Sequence, residues 1–296
     1  MKKLFFVAAS LLLMLAVQAG EKSRGKVYLS VDMEGIWGIV HSDQTSAESP
    51  EYGPARKWMV EDVNAVIAGL LEAGATEIVV NDAHGSMRNI LASDLNPKAS
   101  LISGSPKPLT MMQGIDGSFE ACLLIGYHAK AGTAWATLDH TISSSTVHAI
   151  RINGQEMPEL GINAAIAGFF DVPVIMVSGD KEVCNQAESL LGQQLVTVAV
   201  KEAIGRHAAK LMPMGEARRM LQEGAKEAML KRAAFKAFKF TPPFRFEVEF
   251  MNSGQADILE LIPQVKRTDA RTVAFTSNDY LEGFKLMRGL IALASK

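Results

Sequence analysis

The stretch Val27–Gly35, with the sequence VYLSVDMEG, is a largely apolar run that ends in two carboxylates one residue apart and a glycine. Its first five residues are typical of a strand buried in a sheet. Asp32 and Glu34 follow at alternate positions, so both side chains can turn to one face of the strand end. The stretch therefore indicates a buried strand that delivers acidic groups to one edge of a sheet.

Short apolar runs alternate with helical patterns along the chain that follows. The patterns predict strands at Lys26–Asp32, Glu77–Asn81, Ala121–Gly126 and Val172–Ser178, and helices at Pro54–Ala73 and Gly161–Phe169. Unbroken apolar strands separated by helices indicate a mostly parallel sheet with helices on both faces. We therefore expect an α/β domain over residues 26–194.

The remainder of the chain, residues 195–296, has a different pattern. It predicts strands at Val196–Val200, Phe244–Phe250 and Thr272–Thr276, and helices at Gly215–Phe238 and Asp279–Ala294. In Phe244–Phe250, apolar and charged residues alternate strictly, which is typical of a half-exposed antiparallel strand. We expect a smaller α+β domain here.

The N-terminal residues form a separate segment. Residues 1–19 combine Lys2 and Lys3, the apolar stretch Leu4–Val17 and a small-residue pattern that ends at Ala19. This is the pattern of a secretory signal peptide, and the apolar stretch is shorter than the roughly 20 residues of a membrane-spanning helix. We expect an exported protein, periplasmic or secreted, with no membrane attachment after cleavage.

Composition narrows the function classes. The chain has 296 residues and a formal net charge of −2, which gives no sign of a basic face and argues against nucleic acid as a partner. Cys122 lies in an apolar run and Cys184 in a helical pattern, which indicates two buried thiols rather than a disulfide. A metal would have to be bound by His, Asp and Glu side chains.

Three predicted strands place such side chains directly after their last apolar residues: Asp32 and Glu34, then His84, then His128. Ligands of open parallel sheets bind at the carboxyl ends of the strands. Carboxylate oxygen and imidazole nitrogen suit Zn²⁺, and also Mn²⁺ or Fe²⁺, and a cation makes neighbouring carboxylates tolerable. Singly, each residue could also be a strand-end acid, a turn cap or a buried imidazole. Together they predict a metal site.

The other histidines differ in context. His140 lies in the Gly/Ala/Thr-rich segment Gly132–Ser145, which could form a loop over the strand edge, where an acid/base residue would lie. His148 is in an alternating stretch and is predicted to lie on a sheet surface. His41 and His207 are predicted to be surface residues.

Six short motifs occur in order along the chain: SVDMEG at Ser30–Gly35, NDAH at Asn81–His84, LISG at Leu101–Gly104, GYHA at Gly126–Ala129, PELGINA at Pro158–Ala164 and NSGQA at Asn252–Ala256. With these motifs the chain resembles the D-aminopeptidase family of binuclear zinc metallopeptidases, peptidase family M55. The likeness runs from Val27 to the closing helix.

The resemblance implies a role for each matching residue. Asp32 would bridge two zinc ions, and Glu34, His84 and His128 would be further ligands. Glu159, which the strand pattern does not select, would complete the set. His140 would match the catalytic histidine, although the segment before it is one residue longer than the family pattern and Asp139 replaces a usual serine. The resemblance also implies a homodecamer of two stacked pentamers around an internal channel.

The resulting hypothesis is an exported zinc-dependent aminopeptidase that removes N-terminal amino acids, D-residues in particular, from short peptides or amino-acid amides. Two zinc ions, with Mn²⁺ or Co²⁺ as other candidates, would activate a water molecule. One alternative is a metal-dependent phosphoesterase or other amidohydrolase, for which Lys107 and Lys130 are the available basic residues. Another is an exported peptide-binding protein without catalytic activity.

Overall fold

The structure, a computed structural model, describes residues 25–296, so the predicted signal peptide lies outside the described residues. Within this range the chain forms twelve strands: β1 (Lys26–Val31), β2 (Glu77–Asp82), β3 (Ala99–Ile102), β4 (Ala121–Tyr127), β5 (Val147–Ile152), β6 (Gln155–Glu156), β7 (Val174–Asp180), β8 (Val196–Gly205), β9 (Ala208–Leu211), β10 (Phe244–Phe250), β11 (Lys266–Asp269) and β12 (Thr272–Ser277). The α-helices in the same range are α1 (Tyr52–Glu72), α2 (Glu159–Phe169), α3 (Lys181–Leu191), α4 (Met214–Leu230), α5 (Ser253–Asp257) and α6 (Tyr280–Ala294).

The larger sheet has seven strands in the order β3-β2-β1-β4-β7-β8-β9. Its neighbouring strands are parallel, except for the antiparallel pair β8 and β9 at one edge. Every residue of β4 and of β7 is buried, so both faces of the sheet are covered at its centre. This is why these strands read as unbroken apolar runs.

Helices provide the cover. α1 packs against α4, which also contacts β7 and β8, whereas α2 contacts β4 and α3. The predicted α/β class, with a mostly parallel sheet and helices on both faces, is confirmed. No helix within residues 25–296 has the length and apolar character needed to cross a membrane.

The contact between α1 and α4 depends on a glycine, and this gives a stability prediction. A Cβ atom on Gly69 would lie 2.0 Å from the carbonyl oxygen of Gln222 in α4. We expect Gly69→Ala to lower the free energy of unfolding by about 1–3 kcal/mol, because the two helices must separate. Gly53 in the same helix has open space around its Cβ position, so Gly53→Ala is the matched control and should not lower it. Denaturant unfolding of both variants measures the difference, and equal stabilities would contradict this packing.

The second sheet has five strands in the order β11-β12-β10-β5-β6, and its pairs are antiparallel. In β10 the residues Phe244, Phe246, Val248 and Phe250 are buried, while the charged residues between them are more exposed. This confirms the predicted alternation. α6 packs on β10 and β12, where Gly283 allows the ring of Phe246 to approach the helix.

The two sheets do not divide the chain at residue 195, where the sequence pattern predicts a boundary. β8 and β9 lie beyond that residue but extend the larger sheet, whereas β5 and β6 lie before it and belong to the antiparallel sheet. Strand order depends on pairing between distant segments, here β5 with β10 and β8 with β7. The local pattern of a strand does not contain that information.

One predicted helix is too long. The helical spacing continues to Phe238, but α4 ends at Leu230 and a short 3₁₀ turn, Arg232–Ala234, follows. The next segment crosses α2, where the carbonyl of Phe238 lies so close to Gly168 that no Cβ could be placed there. This tertiary contact overrides a weak local propensity for helix.

The two cysteines are buried and unpaired, as the sequence predicts. Cys122 lies in β4 and Cys184 in α3. Burial raises the pKa of both thiols, which keeps them protonated and unreactive. They take no part in the site described next.

Candidate metal centre

The carboxyl ends of three adjacent strands meet at one edge of the larger sheet. β1 pairs with β2 on one side and with β4 on the other, so their ends lie next to one another. Asp32 and Glu34 follow β1, His84 follows β2, and His128 follows β4. The structure therefore brings together the four residues that the strand pattern predicts.

Asp32 lies between two imidazoles. The Nδ1 atom of His84 is 3.4 Å from Asp32 Oδ1 and 3.0 Å from Glu34 Oε2. On the other side, His128 Nε2 is 3.5 Å from Asp32 Oδ2. Each oxygen of Asp32 thus faces a different histidine, as expected of a carboxylate that bridges two metal ions.

Glu159 joins this group from a helix rather than from a strand. It is the first residue of α2, and its Oε1 atom lies 3.3 Å from His128 Nε2. The same oxygen accepts a hydrogen bond from the backbone N–H of Ile142. Because the packing of α2 brings Glu159 here, the strand-end pattern could not select it, and the PELGINA motif was its only signal.

His140 lies over the cluster, on the loop that the sequence predicts. Its ring stacks on that of His128, with a centroid separation of 3.9 Å and an interplanar angle of 11°. Its Nε2 atom is 3.7 Å from Glu159 Oε1. Asp139 fixes the loop, since it accepts hydrogen bonds from Gly132 N–H and from the Arg206 side chain in the turn between β8 and β9. This contact gives Asp139 a structural role.

The acidic groups are almost completely removed from solvent. The exposed fraction is 3% for Asp32, 5% for Glu34 and 4% for Glu159, and 1% for His128. The side chains of His84 and His140 are more exposed, at 15% and 18%. These two imidazoles therefore line the opening of the cluster. Charges buried to this extent persist only when they are paired with one another or with a metal ion.

The pKa values of the cluster show how strongly its groups interact. Burial, together with the charge of Glu34, raises the pKa of Asp32 to about 7. Burial would also raise the pKa of Glu34, but the charge and the hydrogen bond of His84 outweigh this effect and hold the pKa well below its usual range. Two carboxylates this close can both be ionised only if cations compensate them.

The imidazoles and Glu159 show the complementary effects. Burial favours neutral rings, but Glu34 and Asp32 raise the pKa of His84 well above its usual value, and Glu159 and Asp32 raise that of His128 to about 10. Burial would raise the pKa of Glu159, but His128 lowers it to about 2. Burial and the neighbouring His128 lower the pKa of His140.

Each histidine of the cluster has one ring nitrogen hydrogen-bonded to the backbone. His84 Nε2 is 3.1 Å from the Thr45 carbonyl, His128 Nδ1 is 3.0 Å from that of Ala129, and His140 Nδ1 is 2.9 Å from that of Leu138. If these nitrogens carry the protons, the second nitrogen of each ring presents a lone pair to the carboxylates. Backbone carbonyls orient metal-binding histidines in this way.

The donor set fits a divalent cation. His128 Nε2 is buried and has no hydrogen-bond partner among residues 25–296, although it faces two carboxylates. A lone pair and a carboxylate oxygen attract each other only through a proton or a metal ion between them. Imidazole nitrogen and carboxylate oxygen without thiolate are typical ligands of zinc in catalytic sites.

The ligand atoms form two overlapping groups within the described range. Asp32, Glu34 and His128 form one, and His128, His140 and Glu159 form the other, with the ligand atoms of each group within 4.8 Å of one another. His84 extends the first group through its contacts with Asp32 and Glu34. The cluster is thus large enough, and rich enough in donors, for more than one cation.

A buried lysine that the sequence analysis did not select holds the loop after β1. Lys201 in β8 is 3% exposed, and its ammonium group donates hydrogen bonds to the carbonyls of Glu34, Ile36 and Ile39. Burial lowers its pKa to about 8. Gly35 permits the same loop to approach β4, because a Cβ there would lie 2.0 Å from the carbonyl oxygen of Tyr127. The backbone that carries Glu34 is therefore fixed from two sides.

The remaining histidines lie away from the cluster. His148 lies in β5 with an exposed side chain 3.8 Å from Glu249. The rings of His41 and His207 contact each other, and both side chains are accessible to solvent. Their prediction as surface residues is confirmed.

The two basic residues considered for phosphate binding are engaged elsewhere. Lys107 donates hydrogen bonds to the side chain of Asn81 and the carbonyl of Asp82, at 2.6 and 2.7 Å. Lys130 forms an ion pair with Glu156. Both ammonium groups are therefore already paired with acceptors of the chain itself.

Comparison with known proteins gives a consistent result over nearly the whole chain. The family model described as D-aminopeptidase, peptidase M55, matches residues 26–289. A D-aminopeptidase from Bacillus subtilis (strain 168) is 38% identical over 274 residues, which are 92% of this chain and 98% of that protein. Among solved structures, the Zn-dependent D-aminopeptidase DppA from Bacillus subtilis, described as a self-compartmentalizing protease, has a TM-score of 0.89 at 36% identity and covers 92% of this chain and 98% of its own.

Proposed function

Because the chain belongs to the D-aminopeptidase family of metallopeptidases, M55, we propose that it hydrolyses the amide bond after an N-terminal D-amino acid in short peptides or amino-acid amides. The observation that carries this proposal is the buried cluster in which Asp32 faces both His84 and His128. A carboxylate shared by two imidazoles at a strand edge is suited to hold metal ions in a peptidase of this family. The related DppA is described as Zn-dependent, which supports zinc as the metal.

We infer that two zinc ions bind per subunit. Asp32 would contribute to both sites, with Glu34 and His84 on one side and His128 and Glu159 on the other. The reason is that His84 and His128 face its two oxygens, while Glu34 faces His84 and Glu159 faces His128. When bound, two zinc ions supply a Lewis acid for the carbonyl and a water molecule of lowered pKa. Mn²⁺ and Co²⁺ take the same ligands, so metal identity is part of the test.

His140 is the group placed to move a proton. Its Nδ1 atom is held by the Leu138 carbonyl, which leaves Nε2 to accept a proton from the attacking water and to return it to the leaving amine. Its ring lies at the opening of the cluster and stacks on His128. A substrate that enters past His140 therefore meets the metal ligands and the proton acceptor together.

We also propose that the protein is exported and acts as a homo-oligomer. The family match begins at residue 26, after the predicted signal peptide. The description of DppA as self-compartmentalizing supports an assembly that encloses the active sites, and the decamer predicted from resemblance is its specific form. Trp135, Ile204 and Leu261 are 69%, 63% and 80% exposed and offer apolar surface for contacts between subunits. Light scattering on the purified protein would measure the assembly.

The function predicts a stereochemical preference that depends on metal. The zinc-loaded protein should cleave D-alanyl p-nitroanilide at least about tenfold faster than the L-isomer, because a pocket fixed around the metal admits one arrangement of the side chain. The zinc chelator dipicolinate should remove this activity, and added Zn²⁺ should restore it. A p-nitrophenyl phosphate control distinguishes the phosphoesterase alternative. Cleavage of the phosphate ester, or activity unchanged by chelation, would contradict the proposal.

A further inference from the structure

An arginine on α6, the helix that packs on the antiparallel sheet, lies near the metal centre without a partner among residues 25–296. Arg288 of α6 lines the same small cavity as Glu159 of α2. Its Nε atom is buried and has no hydrogen-bond partner in the described part of the chain. A guanidinium group carries five N–H donors and stays protonated under all ordinary conditions, so a buried Nε–H left without an acceptor is unusual.

The cavity between these two residues is apolar along its walls. The residues that line it in addition to Arg288 and Glu159 are Thr110, Met111, Ile142, Ile162, Asn163 and Phe284. The amide nitrogen of Asn163 is already engaged with Tyr127 Oη and Met111 Sδ. Burial in these surroundings lowers the pKa of Arg288, while the charge of Glu159 opposes the shift. The guanidinium is therefore partly desolvated, with its buried Nε–H at the wall of a mostly apolar cavity.

Glu159 does not serve as the partner of Arg288. One of its oxygens is directed towards His128, His140 and the N–H of Ile142, and no nitrogen of Arg288 forms a salt bridge with it among residues 25–296. The two side chains thus line one cavity without forming a salt bridge with each other. The cavity has a volume of about 10 Å³, room for about one water molecule, so a substrate carboxylate that reaches Arg288 must displace part of the lining.

The spacing between the two residues is fixed by the fold. The Tyr280 hydroxyl at the start of α6 donates a hydrogen bond to the Ile162 carbonyl in α2, at 3.1 Å. Gly283 lets α6 lie close against the ring of Phe246 in β10. The helix that carries Arg288 is thereby joined to the helix that carries Glu159, and the antiparallel sheet supports α6.

We propose that Arg288 binds a carboxylate group of the substrate and so selects substrates that carry one. This inference rests on the proposed aminopeptidase function. A guanidinium and a carboxylate match in two parallel hydrogen bonds, and the apolar walls strengthen that pairing. The carboxylate has two possible sources, the C-terminus of a dipeptide or the side chain of an acidic N-terminal residue.

The test compares substrates that differ only in the carboxylate. For a dipeptide terminus, the pair is D-alanyl-D-alanine and its C-terminal amide. For a side chain, the pair is D-aspartyl and D-alanyl p-nitroanilide. In the zinc-loaded protein, Arg288→Gln should raise KM by at least about tenfold for the carboxylate member of one pair and leave its partner within about twofold, since the carboxylate loses the N–H donors of the guanidinium. Arg288→Lys should recover part of the loss, and Arg245→Gln on the exposed face of β10 is the matched control.

The outcomes distinguish the two possible sources of the carboxylate, and they distinguish a carboxylate-binding role of Arg288 from a structural one. A rise in KM confined to D-alanyl-D-alanine assigns the C-terminal carboxylate as the group that Arg288 binds. A rise in KM confined to the D-aspartyl substrate assigns the side-chain carboxylate. If KM rises equally for the acid and the neutral member of both pairs, with normal zinc content, Arg288 has a structural role. If KM changes for neither pair, Arg288 contacts no carboxylate. Both results would overturn the inference.

A binding measurement distinguishes failure of this inference from failure of the proposed function. The probes are two pairs without a cleavable amide: the methyleneamine analogue of D-alanyl-D-alanine with its carboxamide, and the corresponding D-aspartyl and D-alanyl methyleneamine analogues. Calorimetric titration of the zinc-loaded wild type should show tighter binding of the acid in one pair, and Arg288→Gln should remove the difference. If the acid binds tighter but no substrate is hydrolysed, the proposed function fails and the carboxylate site stands. If acid and neutral analogue bind alike in both pairs, the carboxylate site fails.

Discussion

Replacing Asp32 by alanine should reduce kcat/KM for a D-aminoacyl substrate by a factor on the order of 10³ and should remove most of the bound zinc. The reason is its position between two imidazoles, since His84 faces one of its oxygens and His128 the other. Because Asp32 is the carboxylate that faces both imidazoles, its loss affects both sides of the cluster. Steady-state kinetics and elemental analysis of the purified variant measure the two effects.

The effect of Asp32→Ala must be separated from misfolding. Asp116, which is exposed in a turn, provides the matched control, and Asp116→Ala should retain normal zinc and activity. Burial raises the pKa of Asp32 to about 7, so its ionised form is disfavoured in the folded protein without metal. An active variant with full zinc content would show that Asp32 is not a ligand.

Replacing His140 by alanine should lower kcat by about 10²–10⁴-fold while the zinc content stays at the wild-type level. His140 lies at the opening of the cluster, its Nδ1 atom is held by the Leu138 carbonyl, and its Nε2 atom is free to exchange a proton. KM should change little, because removal of a proton acceptor acts on the chemical step. Kinetics combined with metal analysis separates this role from that of a ligand.

Two companion variants make the His140 result interpretable. His84→Ala should lose zinc, because His84 faces Asp32 and Glu34, and His148→Ala on the exposed side of β5 should change nothing. If His140→Ala also loses zinc, His140 is a ligand in the group that it forms with His128 and Glu159. Normal kcat in this variant would remove His140 from the mechanism altogether.

The part of the site on strand ends could be predicted from the sequence because topology determines it. An apolar run of strand length predicts burial, and carboxyl ends of adjacent parallel strands meet at one edge. Asp32, His84 and His128 follow such runs, and the structure brings them within contact distance of one another or of a shared partner. No knowledge of side-chain packing is needed for that step.

Residues contributed by helices and by the distant sheet could not be predicted in this way. Glu159 reaches the cluster through the packing of α2, and only the motif around it gave a signal. Arg288 lies four residues after Phe284 and three before Ile291, which are both buried in α6, and this helical spacing is the local sign of the side it faces. Lys201 follows an apolar run in β8, but its three carbonyl partners lie more than 160 residues earlier in the chain.

The same limit explains the differences in the fold. The apolar alternation of β10 and the buried runs of β4 and β7 are local properties, and the structure has them as predicted. β5 belongs to the antiparallel sheet and β8 to the larger sheet, each on the opposite side of the predicted boundary, because each pairs with a distant segment. The end of α4 likewise depends on the approach of Phe238 to Gly168. Local propensity is overridden where such tertiary contacts form.

The assignment of a two-zinc centre is tested most directly by anomalous diffraction from crystals of the zinc-loaded protein, measured on both sides of the zinc absorption edge. Two peaks per subunit should lie at the cluster, one beside Glu34 and His84 and the other beside His128 and Glu159, with Asp32 in contact with both. A catalytically active protein with a single peak there, or with zinc bound only elsewhere, would contradict the assignment.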